Sequence, residues 1–154
     1  MPKHLLPVID WKQAHLADCV SACAKMVLDY IGKPINYDRL LHLLKVMPDV
    51  GAPARNVLNL TRLGLDVFYR QGTLDEIQQH LIDNKPCIAF VDTRELPYWD
   101  ESTAHAIVVV GIDDDSIYVN DPAFESAPQI ISHGDFLLAW LGSDEFYAVI
   151  QKRK

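Results

Sequence analysis

What the sequence lacks narrows its function first. No apolar stretch approaches the roughly 20 residues that cross a bilayer, so no membrane span is expected. The segment from Met1 to Asp10 has neither a long apolar region nor a small-residue cleavage site, the two parts a secretory signal needs. A cluster of Lys and Arg is missing too. The one basic run is Lys152-Arg153-Lys154, which reads as a solvated tail. A net-acidic chain without such a cluster is poorly suited to nucleic acid or to an anionic membrane surface. Cysteine is scarce: three in 154 residues, an odd number that does not suggest a disulfide framework. Low-complexity tracts and solenoid-period repeats are also lacking. These absences point to a cytoplasmic protein.

What is present is a globular composition, 49% apolar and 23% charged. A chain of 154 residues suits one domain, here residues 1–154, that buries roughly 70% of the surface its unfolded chain exposes. Fourteen Lys and Arg stand against 21 Asp and Glu, a formal charge of −7. The excess is local. Residues 92–125 hold one basic and nine acidic residues, whereas residues 1–91 hold ten and nine.

Hydrophobic periodicity divides the chain. A helix is expected over 18–31, with Asp18 as N-cap and Gly32 as its stop, because Val20, Cys23, Val27 and Ile31 recur at 3–4 spacing. Two more follow, near 37–46 behind Asn36 and near 53–63 behind Pro53. After a short strand at 65–69, Thr73 and Glu76 form a capping box that opens a helix to about Ile82. The period then changes. Residues 86–91 and 104–110 are continuous apolar runs and read as central strands. A turn at 111–115 returns the chain as a strand at 116–120, closed by Asp121-Pro122. A helix from Ser132 to about Leu141 and a strand at 146–150 finish the chain. The expected class is α+β, helices first and then an antiparallel sheet.

Four residues carry the candidate chemistry. Cys19 opens the first helix, where unpaired amides and the macrodipole favour a thiolate, the useful nucleophile. The alternative for Cys19 is a small core residue. His105 stands at the start of an apolar strand, between two alanines. It is either a core histidine or a general base. In a hairpin turning at 111–115, Asp121 comes near His105 and can accept from one ring nitrogen, leaving the other for Cys19. The alternative for Asp121 is a turn former before proline. Gln13, six residues before Cys19, is a candidate oxyanion donor beside the Cys19 amide, or a solvated loop residue.

These residues resemble a known family. Gln13, then Asp18-Cys19 opening a helix with Ala22, Cys23, Met26 and Tyr30-Ile31-Gly32, is similar to the N-terminal signature of the peptidase C39-like domain, a papain-like cysteine peptidase fold. His105 to Gly111, then Tyr118-Val119-Asn120-Asp121-Pro122-Ala123, resembles its second signature, and Phe136 to Gly142 the segment after it. The resemblance runs from about residue 10 to 150. It implies Cys19 as nucleophile, His105 as general base and acid, Asp121 as orienter and Gln13 as oxyanion donor. It also implies a peptide or small-protein substrate and no cofactor. Two departures stand out. Val20 occupies a position where members often carry glycine, and the best-known members are parts of membrane exporters that cleave leader peptides after a double glycine. The same constellation also suits deamidation or transglutamination of glutamine side chains, or a peptide-binding domain without turnover.

Other residues are set aside. Cys23, one helical turn past Cys19, matches no zinc spacing with it and His15 and is expected in the core; Cys87 is expected there because its strand is apolar, and His15 stays a minor candidate beside the cleft. Trp11 and Trp140 read as packing residues. The loop 92–103, with Pro97-Tyr98-Trp99 among acidic residues, either overhangs the cleft or tucks its aromatics onto the sheet. If it borders the cleft, Asp92, Glu95, Asp100 and Glu101 favour basic or neutral peptides.

Overall fold

The computed structural model describes residues 4–153; Met1–Lys3, at the start of the segment read for a secretory signal, and Lys154 lie outside the described residues. The architecture is α+β, built on one antiparallel sheet. Its strands are β1 (His4–Leu5), β2 (Leu65–Gln71), β3 (Cys87–Asp92), β4 (Ala104–Ile112), β5 (Ser116–Asn120), β6 (Gln129–Ser132) and β7 (Phe146–Lys152). The order across the sheet is β2-β7-β3-β4-β5-β6, and β1 pairs with the far end of β4. Front-half segments therefore supply two strands, β1 and β2, to a sheet expected mainly from the back half. The α-helices among the described residues are α1 (Cys19–Tyr30), α2 (Tyr37–Leu43), α3 (Leu74–Ile82) and α4 (His133–Leu141). No helix among the described residues is long and apolar enough to cross a membrane.

Strand alternation separates two cores. On β3 and β4, Ile88, Phe90, Ala106, Val108 and Val110 face α1 and α2. Cys87, Ala89, Val91, Ile107 and Val109 face α3 and α4. The sheet is thus covered on both sides, which is why β3 and β4 read as continuous apolar runs. Each fully buried Ile, Leu or Val there contributes about 1.5–3 kcal/mol of transfer free energy.

Several local expectations need correction. Asp18 precedes α1 but its side chain caps nothing. It closes a 3-10 turn, Leu16–Asp18, at φ −95° and ψ 6°, away from the extended backbone that folds a cap carboxylate onto the first amides. The helix expected at 53–63 is a 3-10 helix, Ala54–Leu63. Its apolar residues Ala54, Val57, Leu60 and Leu63 repeat every three, the period at which a 3-10 helix stacks them on one face. Asn56 and Asn59, also three apart, donate to the carbonyls of Leu44 and Leu43 at 2.9 and 3.0 Å. In α3 the Glu76 amide donates to Thr73 Oγ1, but the Glu76 carboxylate accepts from Tyr147 rather than closing the box. Lys152 belongs to β7 and Arg153 pairs with Asp66 at 3.3 Å, so the basic tail is partly sheet.

Geometry requires glycine at two places that shape the site's surroundings, the end of α1 and the β1–β4 contact. Gly32 sits at φ 77°, a conformation that ends α1 and that residues with a Cβ rarely adopt. At Gly111 a Cβ would lie 2.8 Å from the His4 carbonyl, so glycine lets β1 close on β4. The register of β4 against β5 shifts between Val109 and Gly111.

Candidate active site

The β4–β5 hairpin brings His105 and Asp121 together. Val109 pairs with Val119 and Val108 with Asn120. Because side chains alternate, the odd-numbered residues of both strands share one face on the His105 side of the register shift, and Asp121 becomes a near diagonal neighbour of His105. Asp113 closes the turn: its Oδ1 accepts from the amides of Asp115 and Ser116, and its Oδ2 from the Tyr118 hydroxyl. The ring of His105 donates from Nε2 to Asp121 Oδ1 at 2.7 Å, with both side chains buried.

Asp121 is fully buried and fully satisfied. Its Oδ1 also accepts from the Ala123 amide at 2.9 Å, and its Oδ2 accepts from Tyr98 Oη and Trp99 Nε1, each at 2.9 Å. Burial alone would push the carboxyl up, but its bonds from His105, Trp99 and Ala123 hold it below the ordinary carboxylate value. The loop 92–103 therefore tucks its aromatics against the Asp121 end of the hairpin. Sequence reasoning singled out Pro97-Tyr98-Trp99 but gave these side chains no partner, because nothing local marks a bond across more than 20 residues.

Cys19 begins α1 and is half-buried. It lies within hydrogen-bonding reach of His105. Since Nε2 is taken by Asp121, Nδ1 is the ring atom left to face the sulfur. Burial pushes the imidazole pKa down, yet the bond to Asp121 and the neighbouring Cys19 sulfur outweigh that and raise it to about 9. The ring therefore keeps its proton to higher pH than an ordinary imidazole. Cys23 and Cys87 are fully buried, and burial pushes both thiols well above their ordinary value. All three cysteines are free.

Gln13 is nearly buried and is fixed by its backbone, whose N–H donates to the Pro122 carbonyl at 2.8 Å. Asn120 Nδ2 donates to the Val8 carbonyl at 3.0 Å, so the segment 8–13 is docked on the strand end that carries Asp121. The Gln13 Oε1 is buried without a hydrogen-bond partner. Asp10, which the sequence did not single out, lies in the same segment. Burial, with the charge of Asp121 adding to it, raises its carboxyl to about 6.

A cleft of about 450 Å³ opens over Cys19 and His105. Leu16, Ala17, Val20, Val50, Tyr69 and Phe90 supply most of its apolar wall. Gln13 and Asp121 are not in that wall; Asp121 stands behind the ring. Of the acidic-loop residues, neither Asp92, Glu95, Asp100 nor Glu101 lines it, and Asp92 is occupied by the Arg94 amide and the Ser102 hydroxyl. The carboxylate in the wall is Asp49. The expectation that those four residues border the cleft is thereby corrected: Thr93 bonds Glu101 and Thr103 across the loop's base and draws it to the Asp121 side. No group of three or more His, Cys, Asp and Glu side chains able to hold a metal occurs among the described residues.

A model of the Peptidase C39-like family matches residues 6–145. The chain belongs to that family. Solved structures agree in fold. A protein described as a C39-like peptidase from Bacillus anthracis has a TM-score of 0.75 at 16% identity, over 99% of this chain and 100% of its own. A double glycine motif protease from an AMS/PCAT transporter, in complex with the leader peptide, scores 0.77 at 22% identity, over 98% and 96%. The peptidase domain of Streptococcus ComA, a bi-functional ABC transporter involved in a quorum-sensing pathway, scores 0.73 at 16% identity, over 97% and 98%. No curated protein matches the chain. The family and these folds agree with the papain-like architecture expected from the sequence.

Proposed function

We propose that this chain is a cysteine peptidase that cleaves a peptide or small protein, with Cys19 as nucleophile. The observation that carries the reading is His105: one ring nitrogen is bonded to a buried carboxylate, and the ring is within reach of a cysteine that opens a helix at the base of a cleft. An imidazolium beside the sulfur is the charge partner a thiolate needs. The sulfur attacks the scissile carbonyl, and the Cys19 amide with the Gln13 side chain receives the oxyanion. His105 then passes its proton to the leaving amine. In the second half His105 takes a proton from water, which displaces Cys19 from the acyl-thioester. Asp121 holds the ring in the tautomer and orientation that both steps use. The role of Gln13 is supported by its tether to Pro122 and by its amide, nearly buried beside the strand end that carries Asp121.

Limiting iodoacetamide near pH 6, with adducts located by mass spectrometry, tests the nucleophile. Cys19 should be alkylated selectively, and the selectivity should fade in His105→Ala. Equal slow labelling of all three cysteines, rising only above about pH 8, would reject the reading. Gln13→Ala should lower kcat about 10²–10³-fold with KM little changed, while the alkylation rate of Cys19 is retained. An unchanged kcat would remove Gln13 from the site. Measuring backbone cleavage against ammonia release on the same peptides separates hydrolysis of the chain from deamidation.

A further inference from the structure

The loop between β3 and β4 is built around Asp121. Thr93 is fully buried, and its hydroxyl donates to the Glu101 carbonyl at 2.6 Å and accepts from the Thr103 amide at 2.9 Å. Leu96 anchors the middle of the loop in the core beside α4. Tyr98 and Trp99 then stand side by side against Phe124, each edge-on to it at 5.1 and 5.3 Å. The Trp99 ring also lies edge-on to His105 at 4.9 Å. Two neutral donors thus converge on one carboxylate oxygen while the other oxygen serves the imidazole.

We infer that Tyr98 and Trp99 are positioning residues: they keep Asp121 ionised and aimed at His105, and the Trp99 ring shields that bond from water. The inference rests on the peptidase reading for its consequence, not for its geometry. A buried carboxylate left with fewer donors takes up a proton at higher pH, because desolvation disfavours its charged form. Once Asp121 is neutral, the imidazolium loses its charged partner at Nε2, and the ion pair with Cys19 that the peptidase reading calls for is weakened. Tyr98 is a dependable donor, since burial and the Asp121 charge push its hydroxyl far up and keep it protonated. The other ionisable groups that feel the Asp121 charge are Asp10 from the N-terminal segment and Cys23 from α1, with His105 bonded to it. Asp10 is of the same sign and Cys23 stays a neutral thiol, so neither replaces the two donors.

The test is a pH series on the full chain with Tyr98→Phe, Trp99→Phe and the double variant. Phenylalanine removes the O–H or N–H and keeps an aromatic ring in the cluster. Carbon NMR of the Asp121 carboxyl should place its titration below the ordinary carboxylate value in the parent and about one pH unit higher in each single variant, the size expected for losing one bond to a charged acceptor. The double variant should move further. The acid limb of Cys19 alkylation should follow, leaving the double variant at least about tenfold slower than the parent at a pH on that limb. A purely structural role would lower the urea midpoint and leave both titrations where they were, and that result overturns the inference. If the parent shows no selective alkylation of Cys19, the peptidase reading falls, while the carboxyl titration still decides whether the two donors hold Asp121.

Discussion

Replacing Cys19 by serine should lower peptide hydrolysis by at least about 10⁴-fold and leave stability nearly unchanged. The side chain is half-buried at the first position of α1, beside a cleft, so an oxygen replaces sulfur there without opening a cavity. What changes is the chemistry. A hydroxyl ionises far less readily than a thiol, so on the proposed mechanism His105 is left without an anionic nucleophile to pair with. Cys23→Ser, one helical turn later, should behave in the opposite way. Cys23 is fully buried in the core between α1 and the sheet. A hydroxyl there has no solvent and costs about 1–3 kcal/mol if left unpaired, with turnover of the folded protein retained. Turnover on a cleavable peptide and the urea midpoint, measured on both variants, separate the two roles. A Cys19→Ser variant that kept more than a tenth of parental turnover would end the nucleophile assignment.

Trp140→Ala should destabilise the protein by about 3–5 kcal/mol, a large share of the 5–15 kcal/mol typical of a domain. Trp140 is fully buried under the sheet face covered by α3 and α4. Its ring packs on Phe136 at 5.5 Å and edge-on to Tyr147 at 6.0 Å. Its Nε1 donates to the Phe146 carbonyl at 2.8 Å and so ties α4 to the first residue of β7. Alanine removes the ring, leaves a cavity and strips that carbonyl of its donor. Guanidinium unfolding followed by far-UV circular dichroism measures the loss. A loss below about 1.5 kcal/mol would mean that the space is refilled by neighbours. Selective alkylation of Cys19 should persist wherever the variant is folded, because Trp140 does not line the cleft.

The elements that were legible in the sequence are those whose signals are local. The apolar runs of β3 and β4 show in their residue types, since strands buried on both faces leave no room for polar alternation. Asn36, Thr73 and Ser132 mark three helix starts, and each side chain does accept an amide hydrogen bond. The departures come from tertiary competition. Glu76 gives up the capping box for Tyr147, a partner 71 residues away. The 54–63 segment tightens to 3-10 as Asn56 and Asn59 reach the end of α2. β6 and β1 were missed because each is short and lies at a margin of the sheet. Ile130 of β6 is exposed, and Leu5 of β1 nearly half so.

The sequence by itself determined the helix start at Cys19, the hairpin through His105 and Asp121, and the family, because turn chemistry, hydrophobic period and motif spacing are carried by neighbouring residues. Only the tertiary structure decided what surrounds Asp121. Tyr98 and Trp99 come from a crossover loop more than 20 residues earlier, and the Gln13 segment comes from the chain start. Their meeting depends on how the sheet registers and how the loop's base is tied by Thr93. The acidic segment was reassigned in the same way: its four loop carboxylates sit outside the cleft wall, where Asp49 stands instead. Charge is written in composition, but the surface it faces is set by long-range packing.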